Sequence, residues 1–413
     1  MRGVIWLLLL FTVAVVAALT LGDNDGVASF YWGHWRLDMS LNFFVLAALG
    51  IGFAVVSLVQ ALNALFGMPQ RARDWRALRR ERAAQAALRE ALLESFGGRY
   101  ARAHKAAERA LAIRDDAAGV TAQREFQVLA RLLAAGSLHR LQDRARRDAV
   151  LRQVLGRDQR ATTPADEGAR LLAAEWALDD REPDRALALL GELPPGAARR
   201  TQALRLRLQA QQLARRPLDA LHTARLLTNH QAFSAAVAQS LLRLLAFEAL
   251  DDAHDIDQLR RCWQQFDSAD QRDPYVAARA ARRASDLGAP EEGCDWLRPL
   301  WDKLDELGAE GRAQVALGLL EAVPGAGPPW LQRVEAALRD YPGEPALQAA
   351  GGAVMFARQL WGKAQRPLEV AARDNRLDAA VRRQAWRALA ALAREQGDEA
   401  RAIDCEREAA RID

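Results

Sequence analysis

Breaks recur through most of this chain at a nearly constant interval, and that regularity constrains the fold more than any single motif. Helix-to-helix turns are predicted near Glu182-Pro183, Arg216-Pro217, Asp252, Gly288, Gly325, Gly362 and Gly397, spaced 34 to 37 residues apart. Between them the sequence is alanine, leucine and arginine in helical rhythm, without the period-two alternation of strands. Such a repeat reads as stacked helix pairs, each burying its apolar side on its neighbours and leaving a concave groove. The expected fold is all-α, with an α-solenoid occupying residues 71–413.

The clearest unit begins at Gly98-Arg99-Tyr100-Ala101. Gly98 is placed to end a helix in a left-handed cap, and Tyr100 to plug the wedge between two antiparallel helices. Ala103, Ala107 and Ala110 fall where two backbones approach too closely for larger side chains. Trp386, Leu389, Ala390, Gly397, Ala400, Ala402 and Ala409 take the same slots at the other end. Both units resemble a tetratricopeptide repeat. The stretch Gly119 to Arg160 is less regular and reads as one more pair, turning at Gly136 and carrying Arg144, Arg146 and Arg147 on an exposed face. Gly156 to Gly168 and Pro324 to Pro329 are the candidate internal boundaries, although one continuous superhelix is expected.

Residues 1–70 read as a membrane anchor. No charge occurs from Gly3 to Gly22, nor from Met39 to Gln70. Two transmembrane helices are expected, at about 3–22 and 40–66, with an interfacial tail near Asn63 to Pro69. A cleaved signal peptide is the alternative for the first. The loop Asp23 to Asp38 has one basic residue besides His34, namely Arg36, whereas Arg71, Arg73, Arg76, Arg79, Arg80 and Arg82 follow the second span. Positive-inside then puts the carboxy-terminal domain in the cytoplasm, and these arginines can also meet anionic lipid. Phe30, Tyr31, Trp32 and Trp35 in the loop read as an interfacial aromatic belt. His34 between two tryptophans is a weaker candidate for porphyrin iron.

Composition excludes several classes. There are 57 basic and 53 acidic residues, and all but three of the basic ones are arginine, so net charge is only +4 and no nucleic-acid surface is implied. Cys262, Cys294 and Cys405 lack metal or haem-attachment spacing, and no nucleotide, zincin or hydrolase motif occurs. The polar run Asp251-Asp252-Ala253-His254-Asp255-Ile256-Asp257 sits where a helix start is due, so capping is preferred over metal binding. His104, His139, His222 and His230 are scattered singly. No catalytic residue, metal site or obligatory cofactor is assigned. Arginines and Trp176, Trp263, Trp296, Trp301 and Trp361 along the groove suit acidic or extended protein segments, most of the tryptophans being packing residues.

The order of these features is similar to that of the HemY family of proteobacterial inner-membrane proteins. The resemblance rests on two amino-terminal spans, a short loop with Asp25-Gly26-Val27 and Trp35-Arg36-Leu37-Asp38-Met39-Ser40-Leu41, an arginine-rich exit, then repeats. Gln359-Leu360-Trp361-Gly362-Lys363-Ala364 also resembles that family's penultimate repeat. The resemblance implies a multi-pass inner-membrane protein associated with late steps of protohaem formation, without a catalytic centre. A scaffold that holds haem-pathway enzymes near the bilayer is the leading expectation. The alternatives are a carrier or chaperone that binds haem or a porphyrin, and an assembly factor for cytochrome c maturation.

Overall fold

The computed structural model describes residues 26–114, 120–156 and 163–412, with Thr12, Val13 and Val16. Apart from those three, the expected span 3–22 lies outside the described residues. The chain divides into two compact units, residues 1–150 and 151–413.

The first unit opens with two strands, β1 (Val27–Trp32) and β2 (Trp35–Ser40), paired antiparallel from Val27↔Ser40 to Trp32↔Trp35. This corrects the expectation of an irregular loop in an all-α chain. Gly33 supplies the positive φ (60°) needed by a two-residue hairpin turn. Helix α1 (Leu41–Phe96) follows directly, its start capped by the Ser40 hydroxyl, which accepts from the Phe43 amide at 3.3 Å.

Helix α1 continues beyond the expected span, running 56 residues without interruption through Pro69 and the arginine-rich stretch. Strong helix formers on both sides of Met68-Pro69 sustain it. Within it, Leu41–Leu62 is long and apolar enough to cross a membrane, and none of it is buried. Among the described residues this is the one such helix, where two were expected.

The far end of α1 turns at Gly97-Gly98 and packs on α2 (Tyr100–Arg114) and α3 (Val120–Arg140). Ala84, Ala91, Ala106, Ala107 and Ala134 fill the contact with almost no exposure. Gly136, expected as a turn, lies inside α3. The chain reverses instead at Gln142 (φ 61°), whose neighbour Asp143 donates its amide to Leu138 O at 3.0 Å, before α4 (Arg144–Leu155). Arg147, expected on an exposed face, is buried: its guanidinium donates to Asp148 (2.8 and 2.9 Å) and meets His139 Nδ1 at 3.0 Å.

In the second unit, helices alternate between two layers. The first helices of the pairs are α5 (Pro164–Asp179), α8 (Thr201–Leu213), α10 (Ala235–Asp251), α13 (Pro274–Asp286), α15 (Ala309–Glu321), α17 (Pro345–Ala357) and α19 (Ala379–Glu395). Their partners are α6 (Pro183–Gly191), α9 (Pro217–Asn229), α11 (Ile256–Gln265), α14 (Pro290–Trp301), α16 (Pro329–Asp340), α18 (Trp361–Arg373) and α20 (Glu399–Arg411). Two short helices, α7 (Pro195–Ala198) and α12 (Ser268–Gln271), and two 3₁₀ turns act as connectors. Within the unit α13 packs on α15, α15 on α17 and α17 on α19, while α13, α17 and α19 also pack on their own partners, giving a solenoid-like stack. One apolar core runs from Leu204 to Cys405.

Both candidate boundaries resolve as helix starts or turns, residues 157–162 lying outside the described set. Thr163 and Asp166 form a reciprocal capping box for α5. Val323–Gly325 is a 3₁₀ turn packed on Pro290, so this stretch is a turn within the stack.

Candidate functional site

Several of the helix ends are built by one device. A residue in the left-handed region follows the helix, and the next amide reaches back to a carbonyl five residues earlier. Gly98, Gly288 and Gly397 take that position, and so do Arg181, Arg215, Gln231 and Gln359. Because Gln359 supplies the turn before α18, Gly362 lies in that helix's first turn, two residues beyond the break, with nothing near its missing side chain.

The other singled-out residues distribute as follows. Tyr100 begins α2 half-buried, and Ala103 and Ala110 are fully buried. Trp386 is half-buried in α19, and Trp361 opens α18 with its ring 5.2 Å from that of Phe356. Arg71 and Arg73 belong to the continuous α1, and Arg76, Arg79, Arg80 and Arg82 are exposed on it, Arg79 lying over the Trp75 ring.

The polar run at 251–257 is engaged structurally. Asp255 caps α11 by accepting from the Gln258 amide at 2.7 Å. Asp257 pairs with Arg260 at 2.6 Å, and Asp251 takes a two-pronged bond from Arg279 (2.9 and 2.6 Å). Among the described residues no group of three potential ligands could hold a metal ion.

Several arginines of the second unit act as internal fasteners between neighbouring pairs. Arg243 donates to Asp273 (2.8 Å), Arg312 to Glu344 (2.7 Å) and Arg333 to Asp302 (2.7 Å), each tying one pair to the next. Arg401 does the same to Glu369 (2.5 Å), and Arg358 to the Ala326 carbonyl (3.0 and 2.5 Å). Partners lie about one repeat apart in sequence, so the period of the fold is also the period of its charge pairing. Arg312 and Glu344 are both less than a quarter exposed, which keeps their attraction from full screening by solvent. Glu344 raises the already high pKa of Arg312, so this fastener keeps its positive charge.

A recess of about 330 Å³ opens where α15, α17, α18 and α19 meet. Its floor and walls are mainly Leu320, Ala349, Ala353, Leu368, Ala385 and Ala388, with Phe356 held against Trp361 at one side. Alanine on facing helices creates the space, since a larger residue at 353 or 388 would fill it. Gln384 and Arg387 are the polar groups on its lining. Among the described residues no carboxylate pairs with Arg387. The recess therefore offers apolar contact and one available positive charge. The sequence reading missed it, although the alanines of α17 and α19 at helical spacing were its visible trace.

Residues 26–142 match the family model described as HemY protein N-terminus. Over these residues the chain carries a region similar to the HemY amino terminus. The matched HemY region takes in the hairpin, α1, α2, α3 and the reversal at Gln142. A comparison with curated protein sequences finds no match. Among solved structures, the chain is similar to "Structure of Naa15/Naa10 bound to HypK-THB" at 14% identity and a TM-score of 0.24, over 78% of this chain and 57% of that one. It thus spans little more than half of that structure's chain, and a likeness of this size carries no argument about function.

Proposed function

We propose that this chain is a membrane-anchored repeat scaffold or regulator associated with late steps of protohaem biosynthesis, working by protein–protein interaction. Two amino-terminal spans hold it in a bacterial inner membrane, with the repeats on the cytoplasmic side. The observation that carries the reading is the recess between α15, α17 and α19. Its alanine-lined floor accepts an apolar side chain, and Arg387 stands ready for an acidic neighbour on the same partner segment. Haem-pathway enzymes are the partners this reading favours, and the family resemblance is its support. Tethering them near the bilayer raises their effective concentration where hydrophobic intermediates partition, and this needs no catalytic residue.

Crosslinked pull-down from membranes tests it, comparing the parent chain with Ala353→Trp, which fills the recess, and Arg387→Glu, which reverses its charge. Both should lose the same pathway enzymes while keeping parental melting temperatures. Retention of those enzymes by both variants would sink the reading.

A further inference from the structure

The amino-terminal hairpin has two faces of opposite character. Its register places Ala28, Phe30, Trp32, Trp35, Leu37 and Met39 on one side and Val27, Ser29, Tyr31, Arg36, Asp38 and Ser40 on the other. The polar side is internally bonded: Ser29 donates to Asp38 at 2.5 Å, Arg36 donates to it at 3.0 Å, and the Arg36 guanidinium lies over the Tyr31 ring. Among the described residues no hydrogen bond or ion pair closes the apolar side, and Trp32 and Trp35 are both more than four-fifths exposed.

Two physical demands pull on such a hairpin. A two-stranded sheet with an uncovered apolar face is marginal in water. Its two open edges carry unpaired amides and carbonyls, which forbid burial in hydrocarbon. A bilayer surface meets both demands, covering the apolar face while leaving the edges hydrated. The geometry agrees. The Phe30 ring lies 5.2 Å from that of Phe44, one turn into α1, so the apolar face is the one turned towards the helix that bears the apolar stretch. Phe43 and Leu46, in the first turns of α1, are exposed. Lipid surrounding that stretch would continue onto Phe30 without a break, so one occupant covers both.

We infer that the hairpin is a second membrane contact, lying along the lipid surface at the amino-terminal end of α1 with Phe30, Trp32, Trp35 and Leu37 in lipid and Ser29, Tyr31, Arg36 and Asp38 in water. The inference rests on reading Leu41–Leu62 as a membrane span. Aromatic rings at this depth suit the interface. The charges of Arg36 and Asp38 offset each other, so the contact is apolar and independent of anionic headgroups.

The test uses the full chain in phosphatidylcholine vesicles, with and without phosphatidylglycerol. An environment-sensitive dye is attached at Leu37→Cys, Trp35→Cys, Tyr31→Cys or Val55→Cys in separate preparations. Cys262, Cys294 and Cys405 are buried, and the parent chain sets the labelling background. Dyes at 55, 37 and 35 should be quenched by spin-labelled lipid and shielded from iodide, while the dye at 31 is several-fold more open to iodide. Agreement between 35 and 37 separates orientation from local disruption by either substitution. Dyes at 35 and 37 as open to iodide as the one at 31, with 55 shielded, overturn the hairpin inference alone. Shielding from iodide without lipid quenching would mean a protein partner and overturn it too, as would shielding that requires phosphatidylglycerol. A dye at 55 open to iodide overturns the span reading and the inference with it.

Discussion

Two apolar helices in this molecule have opposite surroundings. The first 22 residues of α1 and the 13 residues of α17 are similarly rich in aliphatic side chains, alanine and glycine. None of the former is buried, whereas nine residues of the latter are, from Ala346 to Met355. Their glycines differ in the same way. A side chain at Gly50 or Gly52 would meet nothing, but one at Gly351 or Gly352 would collide with Leu338 or Leu368. Composition says that a helix must leave water. What covers it determines whether its small residues are packing devices or merely smooth surface.

Truncating a large side chain should separate the two helices most. Leu347 in α17 is 1% exposed, so Leu347→Ala should cost about 2–5 kcal/mol in urea or thermal unfolding. Leu46→Ala, at an exposed position of α1, should leave the same unfolding transition in place. Equal losses would mean that the α1 stretch packs on protein after all.

Enlarging a glycine is the next sharpest comparison. At Gly352 an added Cβ would stand 2.7 Å from Leu368 Cγ and 3.1 Å from its amide nitrogen. Gly352→Ala should therefore destabilise by about 1–3 kcal/mol, measured by the same unfolding transition. Gly50→Ala should be neutral or slightly stabilising, since alanine favours helix there by up to about 1 kcal/mol.

A smaller effect is expected from the arginine fasteners. Arg312→Gln should cost about 1 kcal/mol, and a double-mutant cycle with Glu344→Gln should recover most of it as coupling. Arg79→Gln on exposed α1 should leave unfolding unchanged. Absence of coupling between 312 and 344 would reduce the charge ladder to surface decoration.

The smallest signal concerns thiols. Burial pushes Cys262 and Cys294 up to about 12, so both stay protonated at mildly alkaline pH. A thiol reagent should modify neither in the folded chain and both in denaturant, which makes their labelling a gauge of opening in the repeat core. Rapid modification under native conditions would show that this core opens locally.

Features carried by helix ends were legible in the sequence. Pro183, Pro217 and Pro290 each open a helix, and Gly288 and Gly397 each close one, so the repeat interval could be read directly. Helix ends closed by Gln142 and Gln359 were not legible, because a left-handed glutamine has no compositional signature, and nearby Gly136 and Gly362 drew attention instead. Burial of Arg147 depends on His139 and Asp148 converging in space, which a row of arginines does not reveal. The hairpin left a clear trace in Ala28, Phe30 and Trp32 alternating before Gly33, but the aromatic content of that loop suggested a belt rather than strands. The recess arises from alanines on helices far apart in sequence, so only tertiary packing could disclose it.

The length of α1 sets both a height and a heading. From Leu62 to Gly97 the unbroken helix rises about 52 Å, so the reversal that begins the first repeat stands that far along the axis from the last apolar residue. Removing seven residues from this shaft would draw the reversal in by about 10 Å and turn it by only about 20°. Removing two would shorten it by only about 3 Å yet swing the repeat nearly to the opposite side. Reach and bearing are thus adjusted separately by how many residues the same stretch of helix contains.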